Sequence, residues 1–239
     1  MSELKSSRAV TDAVTEGVSD AVSDSVSEGA WAERQAAQSS GFDAIGARYD
    51  EVFPHKEGQI DCVERLLAGL APGARVLDAG AGTGLPTARR LVAAGCAVTC
   101  VDFSPAMLEL ARVNVPEAAF VLGDLLDVPD SPARFEAVTA FFSLLMLPRA
   151  QIGEALRLFH RVLTPGGRLA VAMVEADVDD MPIPFLGDWM RVTGYLRGPW
   201  LTVLEQAGFA VEWEDARTYV PEQAATPEVQ LFALCRRLG

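Results

Sequence analysis

Residues 76–84 read VLDAGAGTG and decide the fold, because an apolar run leads directly into a loop that opens a helix. The three glycines of this loop allow the backbone to turn sharply and to approach a ligand closely. The free N–H groups at the start of the following helix can bind a carboxylate or a phosphate. The dinucleotide fingerprint needs a small residue where this sequence has Leu85, so the spacing disfavours a nicotinamide oxidoreductase.

Three aspartates follow three successive apolar runs, each at the point where a strand is expected to end. Asp78 precedes the glycines and suits an amino group better than a pyrophosphate. Asp102 ends the next run, and its two oxygens can accept hydrogen bonds from vicinal ribose hydroxyls. Asp124 follows the third run. Because ligands of open α/β sheets bind at the carboxyl ends of the strands, these acids predict a ribosyl ligand at this edge.

Short apolar runs alternate with segments of helical periodicity through the middle of the chain. Continuous apolar strands that alternate with helices predict a parallel sheet covered on both faces. Two further candidate strands lie near the C-terminus, at 209–214 and 229–235. The other predicted strands are 75–79, 97–101, 118–122, 137–142 and 168–174, and the predicted helices between them are 85–94, 105–113 and 150–162.

We divide the chain into a tail, residues 1–40, and a single domain, residues 41–239. The tail is rich in Ser, Val and acids, and it repeats Val-(Ser/Thr)-(Asp/Glu)-x from Val10 to the copy at Val26. A period of four gives no steady stripe on a helix, which favours a disordered tail. The alternative is a mobile helix that becomes ordered over an active site or against a second copy of the chain. In the second case the tail would contribute to a homo-oligomer.

The sequence divides the domain into three parts. Residues 41–73 form N-terminal helices that cover a site, and residues 74–175 form the ligand-binding core. Residues 176–239 begin with a helical stretch on the acceptor side and end with the last two strands. Aromatic residues of that stretch either wall an acceptor or pack in the core. They and one methionine among them are Phe185, Trp189, Met190, Tyr195 and Trp200.

The chain resembles the class I S-adenosylmethionine-dependent methyltransferases, especially their small-molecule branch, over residues 42–235. The segments that carry the resemblance are VLDAGAGTG (76–84), VDFSPAML (101–108), GD (123–124) and LTPGGRL (163–169). The resemblance implies an α/β fold with a Rossmann-like, doubly wound and mainly parallel sheet of seven strands, helices on both faces and a C-terminal antiparallel strand. It also implies that S-adenosylmethionine is the cofactor.

The same resemblance assigns roles at the cofactor site. The loop glycines surround the methionine portion, Asp102 binds the ribose hydroxyls, and Asp124 with the backbone of Leu125 reads the adenine. Phe103 and Met107 are similar to walls of the adenine pocket, although core packing is the alternative for Met107. The candidate cofactor-binding residues are Asp78, Gly80, Gly82, Gly84, Asp102, Phe103, Met107, Asp124, Leu125, Phe141 and Tyr49.

Leu145 and Met146 stand where many members of the family carry a pair of histidines, so that position holds no base. This favours C- or N-methylation of a small aromatic or apolar metabolite, indole-like rings included, because such acceptors attack first and lose a proton later. One alternative is an O-methyltransferase with His55 or the strand-end carboxylate of Glu175 as the base. A second alternative is a regulatory protein that binds S-adenosylmethionine without transferring its methyl group. Tyr49 is a candidate lid residue and the third candidate catalytic residue.

Charge and composition restrict the partners. The 239 residues carry a formal charge of −13, which disfavours nucleic acid and anionic membranes as partners. Residues 74–175 hold ten acidic and nine basic side chains, so the excess lies in the tail, the cover and the C-terminal third. Because these parts enclose the acceptor, we expect a small-molecule acceptor that is neutral or cationic.

Four cysteines and two histidines form no metal-ligand pattern and no Cys-x-x-Cys. We expect buried free thiols, and we expect His160 to be structural because it lies on the apolar-periodic helix 150–162. The N-terminus lacks a basic region followed by an apolar one. Free thiols and this N-terminus together predict a cytoplasmic protein.

Overall fold

The computed structural model describes residues 28–128, 134–185, 188–220 and 227–239. The chain divides into two compact units, residues 1–34 and 35–239. Of the first unit the described part is 28–34, the start of helix α1 (Glu28–Ile45), where the Arg34 guanidinium lies 5.2 Å from the centre of the Trp31 ring. The valine repeat lies outside the described residues.

The second unit is built on the predicted sheet. The strands are β1 (Arg75–Ala79), β2 (Ala97–Asp102), β3 (Ala119–Leu122), β4 (Phe135–Phe141), β5 (Leu163–Val174), β6 (Val178–Phe185), β7 (Asp188–Gly194), β8 (Phe209–Tyr219) and β9 (Glu228–Arg237). Seven of them pair in the order β3-β2-β1-β4-β5-β9-β8, of which the first five are mutually parallel. Strand β9 is antiparallel to both of its neighbours, as expected for the C-terminal strand.

Helices connect the strands. Ser104 and Pro105 begin helix α5 (Pro105–Asn114) in the way that sequence rules predict, since the serine hydroxyl accepts from Met107 N at 3.1 Å and proline occupies the first turn. Short 3₁₀ turns lie at Gly46–Arg48, Leu125–Asp127 and Leu144–Met146. The helices after α1 are α2 (Tyr49–Val52), α3 (Glu57–Leu67), α4 (Thr87–Ala93), α5 (Pro105–Asn114), α6 (Arg149–Val162) and α7 (Arg197–Gln206).

Strand β1 is the third strand of the seven and the point where the order of the strands reverses, since β2 and β3 lie on one side of it and β4 and β5 on the other. It pairs in parallel with β2 on one side and with β4 on the other, and four of its five residues are buried. Ligands of open α/β sheets bind where two neighbouring strands lead to opposite sides of the sheet. The carboxyl ends of β1 and β4 are therefore the place to look for a site.

The C-terminal strands bring more residues to the same edge. Val174, the last residue of β5, lies opposite Gln230 near the start of β9. Tyr219, the last residue of β8, lies opposite Glu228. An antiparallel return strand thus places its first residues beside the carboxyl ends of the parallel strands.

The prediction of a helical stretch directly after strand β5 is wrong for residues 178–194. Strands β6 and β7 form a separate antiparallel hairpin there, and helix α7 begins only at Arg197. Pro182 and Pro184 lie within β6 and would each remove a hydrogen bond from a helix interior. Their side chains alternate in exposure with Ile183 and its neighbours, which is the pattern of a strand.

Helix α1 begins inside the segment assigned to the tail, so the boundary at residue 40 falls within a helix. Residues 30–38, AWAERQAAQ, are dominated by strong helix formers, which outweigh the serines on either side. Within the second unit, the buried amide of Gln38 donates to Arg191 O at 2.8 Å and accepts from Arg191 N at 2.9 Å. Residues 35–40 consequently belong to the folded unit and hold the β6–β7 hairpin.

Other expectations concern the core. All four cysteines are buried free thiols, as predicted. His160 Nε2 lies 3.1 Å from Leu238 O and beside the ring of Phe209, in keeping with a structural role. Within the described residues, no helix combines the length and apolar character that crossing a membrane requires.

The contact of helix α3 with strand β9 yields a test of the packing. A Cβ atom added at Gly58 would lie 2.3 Å from Cε2 of Phe232, a ring that is 2% exposed. We expect Gly58→Ala to lower the free energy of unfolding by about 1–3 kcal/mol through overpacking. Urea unfolding followed by circular dichroism measures this change.

The matched control is Gly198→Ala in helix α7, where nothing lies within 4 Å of the added Cβ. Its free energy of unfolding should stay the same or rise slightly, because alanine is the better helix former. Equal stabilities for the two variants would contradict the α3–β9 packing.

Candidate functional site

A cavity of about 230 Å³ opens at the carboxyl ends of β1, β4 and β5, where the sheet topology predicts it. Its floor is the glycine loop, with Gly80 and Gly82, and the end of β4, with Phe141. The walls come from residues 42–59, from the β6–β7 hairpin and from the facing ends of β8 and β9.

The loop after β1 needs glycine for two different reasons. Gly80 has φ +80°, and a Cβ atom there would lie 2.2 Å from Cβ of Ser143. Gly82 has φ +54° and lies against the Tyr49 ring, with Cε1 3.8 Å from an added Cβ. Gly84 does not line the cavity; an added Cβ would lie 2.9 Å from Cγ2 of Val115, so this glycine lets the loop pack against the end of α5.

Asp78 is buried at the end of β1. Its Oδ1 accepts a hydrogen bond of 2.7 Å from Thr139 on β4, while Oδ2 has no hydrogen-bond partner among the described residues. Burial raises the pKa of Asp78 to about 7, the Thr139 hydrogen bond opposes this, and the charge of Asp102 adds to it. An unpaired buried carboxylate oxygen beside a glycine loop fits the ammonium group of an amino acid, which supports the predicted cofactor.

Asp102 at the end of β2 organises the loop. Its Oδ2 accepts from Gly82 N at 2.8 Å, and its Oδ1 accepts from Ser104 N at 2.9 Å. Burial raises the pKa of Asp102 to about 6, although the backbone hydrogen bonds lower it. One carboxylate thus joins the glycine loop to the first turn of α5, and lone pairs remain on both oxygens for ribose hydroxyls.

The other residues expected around the adenine lie between β2 and α5, on α5 and at the start of the Leu125–Asp127 turn, outside the cavity lining. Met107 is 1% exposed and belongs to the core, which supports the packing alternative. Leu125 is buried as well, and Asp124 Oδ1 accepts from Leu126 N at 2.7 Å. The side chain of Phe103 contacts Phe42 edge to face, with ring centres 5.7 Å apart.

The part of helix α1 that belongs to the second unit, residues 35–45, contacts this side of the site. Gln35 donates a hydrogen bond to Asp124 Oδ2, and Ser39 Oγ donates to Phe103 O at 3.1 Å. The Asp43 carboxylate accepts from the Ser104 hydroxyl at 2.6 Å. None of these three α1 residues was among the candidates from sequence. Their partners lie more than sixty positions along the chain, and no local sequence pattern indicates such a contact.

The segment that contains Tyr49 is attached to the glycine loop, as expected for a cover. Thr83 Oγ1 donates to Asp50 Oδ2 at 2.8 Å, and Lys56 Nζ lies 3.5 Å from Asp50 Oδ1. Lys56 Nζ also lies 5.0 Å from the centre of the Tyr49 ring. Burial and the charges of Asp102 and Asp50 raise the pKa of Tyr49, so its phenol remains protonated and can donate a hydrogen bond.

The opposite side of the cavity is apolar and aromatic. The rings of Phe53 and Phe185 stack with centres 6.0 Å apart and planes 13° from parallel. Leu145 and Met146 also line the cavity, so the position of the family's histidine pair presents an apolar surface here. Further apolar lining residues are Phe42, Val178, Ile183, Met190 and Val192.

Of the aromatic stretch, Phe185 and Met190 line the cavity, whereas Trp189 is 66% exposed and Trp200 is 1% exposed. Tyr195 is buried under the guanidinium of Arg149. The residues therefore divide between wall, surface and core according to their position on the hairpin and on α7.

Glu175 does not line the cavity. Its Oε1 accepts a hydrogen bond of 3.0 Å from Arg197 N, at the first residue of α7. A carboxylate at a helix N-terminus satisfies a free N–H group and interacts favourably with the helix dipole. The prediction of Glu175 as a base for the acceptor is therefore corrected, since its carboxylate binds the start of α7 instead.

His55 lines the cavity at its exposed edge, and three polar residues beside it escaped the sequence analysis. The His55 ring lies 4.5 Å from that of Tyr219, centre to centre. The Tyr219 hydroxyl donates to Glu228 Oε1 at 2.7 Å, and Gln230 Nε2 donates to the same oxygen at 3.4 Å. The tyrosine and glutamate lie nine positions apart and meet only through the β8–β9 register, which the sequence does not specify.

Comparisons with known proteins agree with this architecture. The family described as "Methyltransferase domain" matches residues 76–167. A demethylmenaquinone methyltransferase of Renibacterium salmoninarum is 35% identical over 143 residues, covering 54% of this chain and 58% of that protein. An uncharacterized methyltransferase of Synechocystis sp. is 32% identical over 148 residues, covering 59% of this chain and 69% of that protein. The match thus spans somewhat more than half the length of the Renibacterium protein.

Solved structures share the fold. The 1,6-didemethyltoxoflavin-N1-methyltransferase of Burkholderia thailandensis, with bound 1,6-didemethyltoxoflavin and S-adenosylhomocysteine, matches with a TM-score of 0.67. The two chains are 23% identical, and the match covers 87% of this chain and 90% of the other. The chain belongs to the class I S-adenosylmethionine-dependent methyltransferases.

The buried carboxyl of Asp78 gives the site a testable pH dependence. Its pKa of about 7 in the folded state exceeds the ordinary value of 3.8, so the folded protein binds this proton more tightly than the unfolded chain does. The resulting stability is complete below about pH 4 and is lost as the pH rises through about 7. We expect Asp78→Asn to gain thermal stability relative to the native protein as the pH rises from about 4 to about 7. The difference between the two melting temperatures, measured by calorimetry without ligand, should therefore increase with pH.

The control is Glu109→Gln, which neutralises an exposed carboxylate on α5. Its melting temperature should follow that of the native protein across the same range. A constant difference between Asp78→Asn and the native protein would contradict the raised pKa.

Proposed function

We propose that the protein transfers a methyl group from S-adenosylmethionine to a small apolar or aromatic acceptor, and that the acceptor is methylated on carbon or nitrogen. The observation that carries the proposal is the cavity, which joins the glycine loop directly to an aromatic and aliphatic chamber. S-adenosylmethionine would supply a methyl group on a positively charged sulfur. Three observations support this cofactor: the family match, the Asp78 oxygen without a hydrogen bond, and the close approach of the backbone that glycine allows at position 80.

The chain's own residues then have three tasks. Asp78 and the loop of Gly80 and Gly82 bind the amino-acid portion, and Asp102 binds the ribose while it fixes the loop. Tyr49 covers the loop. The apolar walls exclude water and hold the acceptor in line, which is the main requirement for a displacement reaction.

Proton removal separates the possible acceptors. The apolar surface of Leu145 and Met146 supplies no base, and this favours acceptors that attack through carbon or a neutral nitrogen. Both curated relatives and solved neighbours include small-molecule enzymes, among them the toxoflavin N1-methyltransferase. The second candidate is O-methylation with His55 as the base, because this histidine also lines the cavity.

The variant His55→Ala decides between these reactions. We expect methyl transfer to an active indole or other nitrogen-heterocycle acceptor to fall by less than about tenfold, since a general base is typically worth about 100- to 10,000-fold. Formation of labelled product from methyl-labelled S-adenosylmethionine measures the rate, and calorimetry with S-adenosylhomocysteine measures cofactor binding.

His160→Ala is the matched control, since it removes the other histidine of the chain from a position outside the cavity. Loss of transfer by His55→Ala with normal cofactor binding would establish the base-dependent reaction instead. Tight binding of S-adenosylhomocysteine with no turnover on a broad set of aromatic, amine and hydroxyl acceptors would contradict methyl transfer and favour a regulatory binding protein.

A further inference from the structure

One carboxylate stands in the wall of a mainly apolar chamber. Of the described residues that line the cavity, Glu228 is the one acidic side chain, and it is half-buried at the first position of β9. Its position follows from the register, since β9 begins beside the carboxyl end of β5 and opposite the end of β8. Acidic side chains rarely line an apolar cavity without a partner, so this one requires an explanation.

The partners of Glu228 within the protein are neutral. Tyr219 and Gln230 both donate to Oε1, and Oε2 accepts no hydrogen bond from the described residues. No ion pair among the described residues includes Glu228, whereas several other carboxylates of the chain pair with arginines. The carboxylate is therefore held in place at one oxygen while the other keeps its full capacity to accept.

The two basic side chains among the described lining residues, Lys56 and His55, contact other residues. Lys56 lines the same cavity, but it pairs with Asp50 at 3.5 Å and lies over the Tyr49 ring. Burial lowers the pKa of Lys56, and Asp50 opposes this by holding its charge. The ring of His55 packs on the ring of Tyr219, which donates to Glu228 and forms the outer part of the same wall.

Tyr219 acts as a positioning residue for this carboxylate. Burial and the hydrogen bond to Glu228 raise the pKa of Tyr219, so the phenol keeps its proton and remains the donor of the 2.7 Å bond. A hydrogen bond to a charged group is among the stronger ones in proteins, and it selects one rotamer of a flexible side chain.

We propose that Glu228 is a specificity-determining residue, which binds a protonated amine on an aromatic acceptor whose ring lies among the apolar side chains of the chamber. This inference rests on the proposed function and names the substrate class within it. Anionic analogues are excluded by the same carboxylate, and neutral ones gain less from it. The stacked Phe53 and Phe185 rings and the aliphatic residues of the β6–β7 hairpin supply the surface for the ring.

A matched series of indole probes tests the proposal: tryptamine with a cationic side chain, indole-3-ethanol with a neutral one and indole-3-acetate with an anionic one. Calorimetry measures the binding of each probe to the full chain saturated with S-adenosylhomocysteine. We expect tryptamine to bind at least about tenfold more tightly than indole-3-acetate, as one charge-assisted hydrogen bond implies. In Glu228→Gln the affinities for tryptamine and indole-3-acetate should agree within about twofold, because the charge-assisted hydrogen bond is lost.

Two further variants locate the effect. Glu57→Gln removes an exposed acid from the first turn of α3, next to the lining residue Lys56 but outside the lining itself. This variant should keep the preference of the native protein for the cationic probe. Tyr219→Phe should reduce the preference without abolishing it, because Gln230 still holds Glu228. A preference that also vanished in Glu57→Gln would show a general effect of net charge and would overturn the assignment.

The outcomes separate this inference from the function on which it rests. Failure of the native protein to bind S-adenosylhomocysteine would contradict the proposed function. Normal binding of S-adenosylhomocysteine, with equal affinity for the cationic and anionic probes or with no binding of tryptamine, would overturn the role of Glu228 alone. Persistence of the cation preference in Glu228→Gln would overturn it as well.

Discussion

The close approach of two strand ends is the constraint on which the site depends. Gly80 lies so near Ser143 that a Cβ atom would come within 2.2 Å of the serine Cβ. Ser143 Oγ in turn donates to Ala79 O at 2.7 Å, which fixes the end of β4 against the end of β1. The chain can therefore bend away from β1 without a side chain in the way, and the space beyond the bend becomes the floor of the cavity.

Two buried carboxylates follow from the same arrangement. Asp78 and Asp102 end adjacent parallel strands, so each lies within the electrostatic field of the other and away from water. The backbone N–H groups of Gly82 and Ser104 stabilise the charge of Asp102, whereas within the described part of the chain the Asp78 side chain accepts one hydrogen bond, from Thr139. The deficit of donors at Asp78 is what makes this edge of the sheet suited to a cation.

Local features of this protein could be predicted from sequence, because their causes are local. The glycine loop, the strand ends at Asp78 and Asp102, and the capped start of α5 at Ser104 each depend on a few consecutive residues. Alternating apolar runs were enough to predict the parallel sheet. The helix predicted after β5 was inferred from the spacing of aromatic residues. Pro182 and Pro184 in the same stretch disfavour a helix, and the segment forms a strand.

The acceptor side could not be predicted in the same way. Glu228 meets Tyr219 only because β8 and β9 pair in one register, and Gln38 meets Arg191 across 153 positions. A one-residue slip of β9 against β8 would turn the Glu228 side chain to the other face of the sheet. Glu175 shows the converse, since its place after a strand is local but its bond to Arg197 N depends on where α7 begins.

Helix α1 joins the two halves of the site. Gln35 and Ser39 bond to the strand ends on the cofactor side, while Gln38 bonds to the backbone of the hairpin that walls the acceptor side. Residues 35 and 39 are one helical turn apart, and residue 38 lies between them in sequence, so a movement of this turn disturbs both sets of bonds. The geometry of the acceptor chamber is thereby tied to that of the cofactor edge through a single turn of helix.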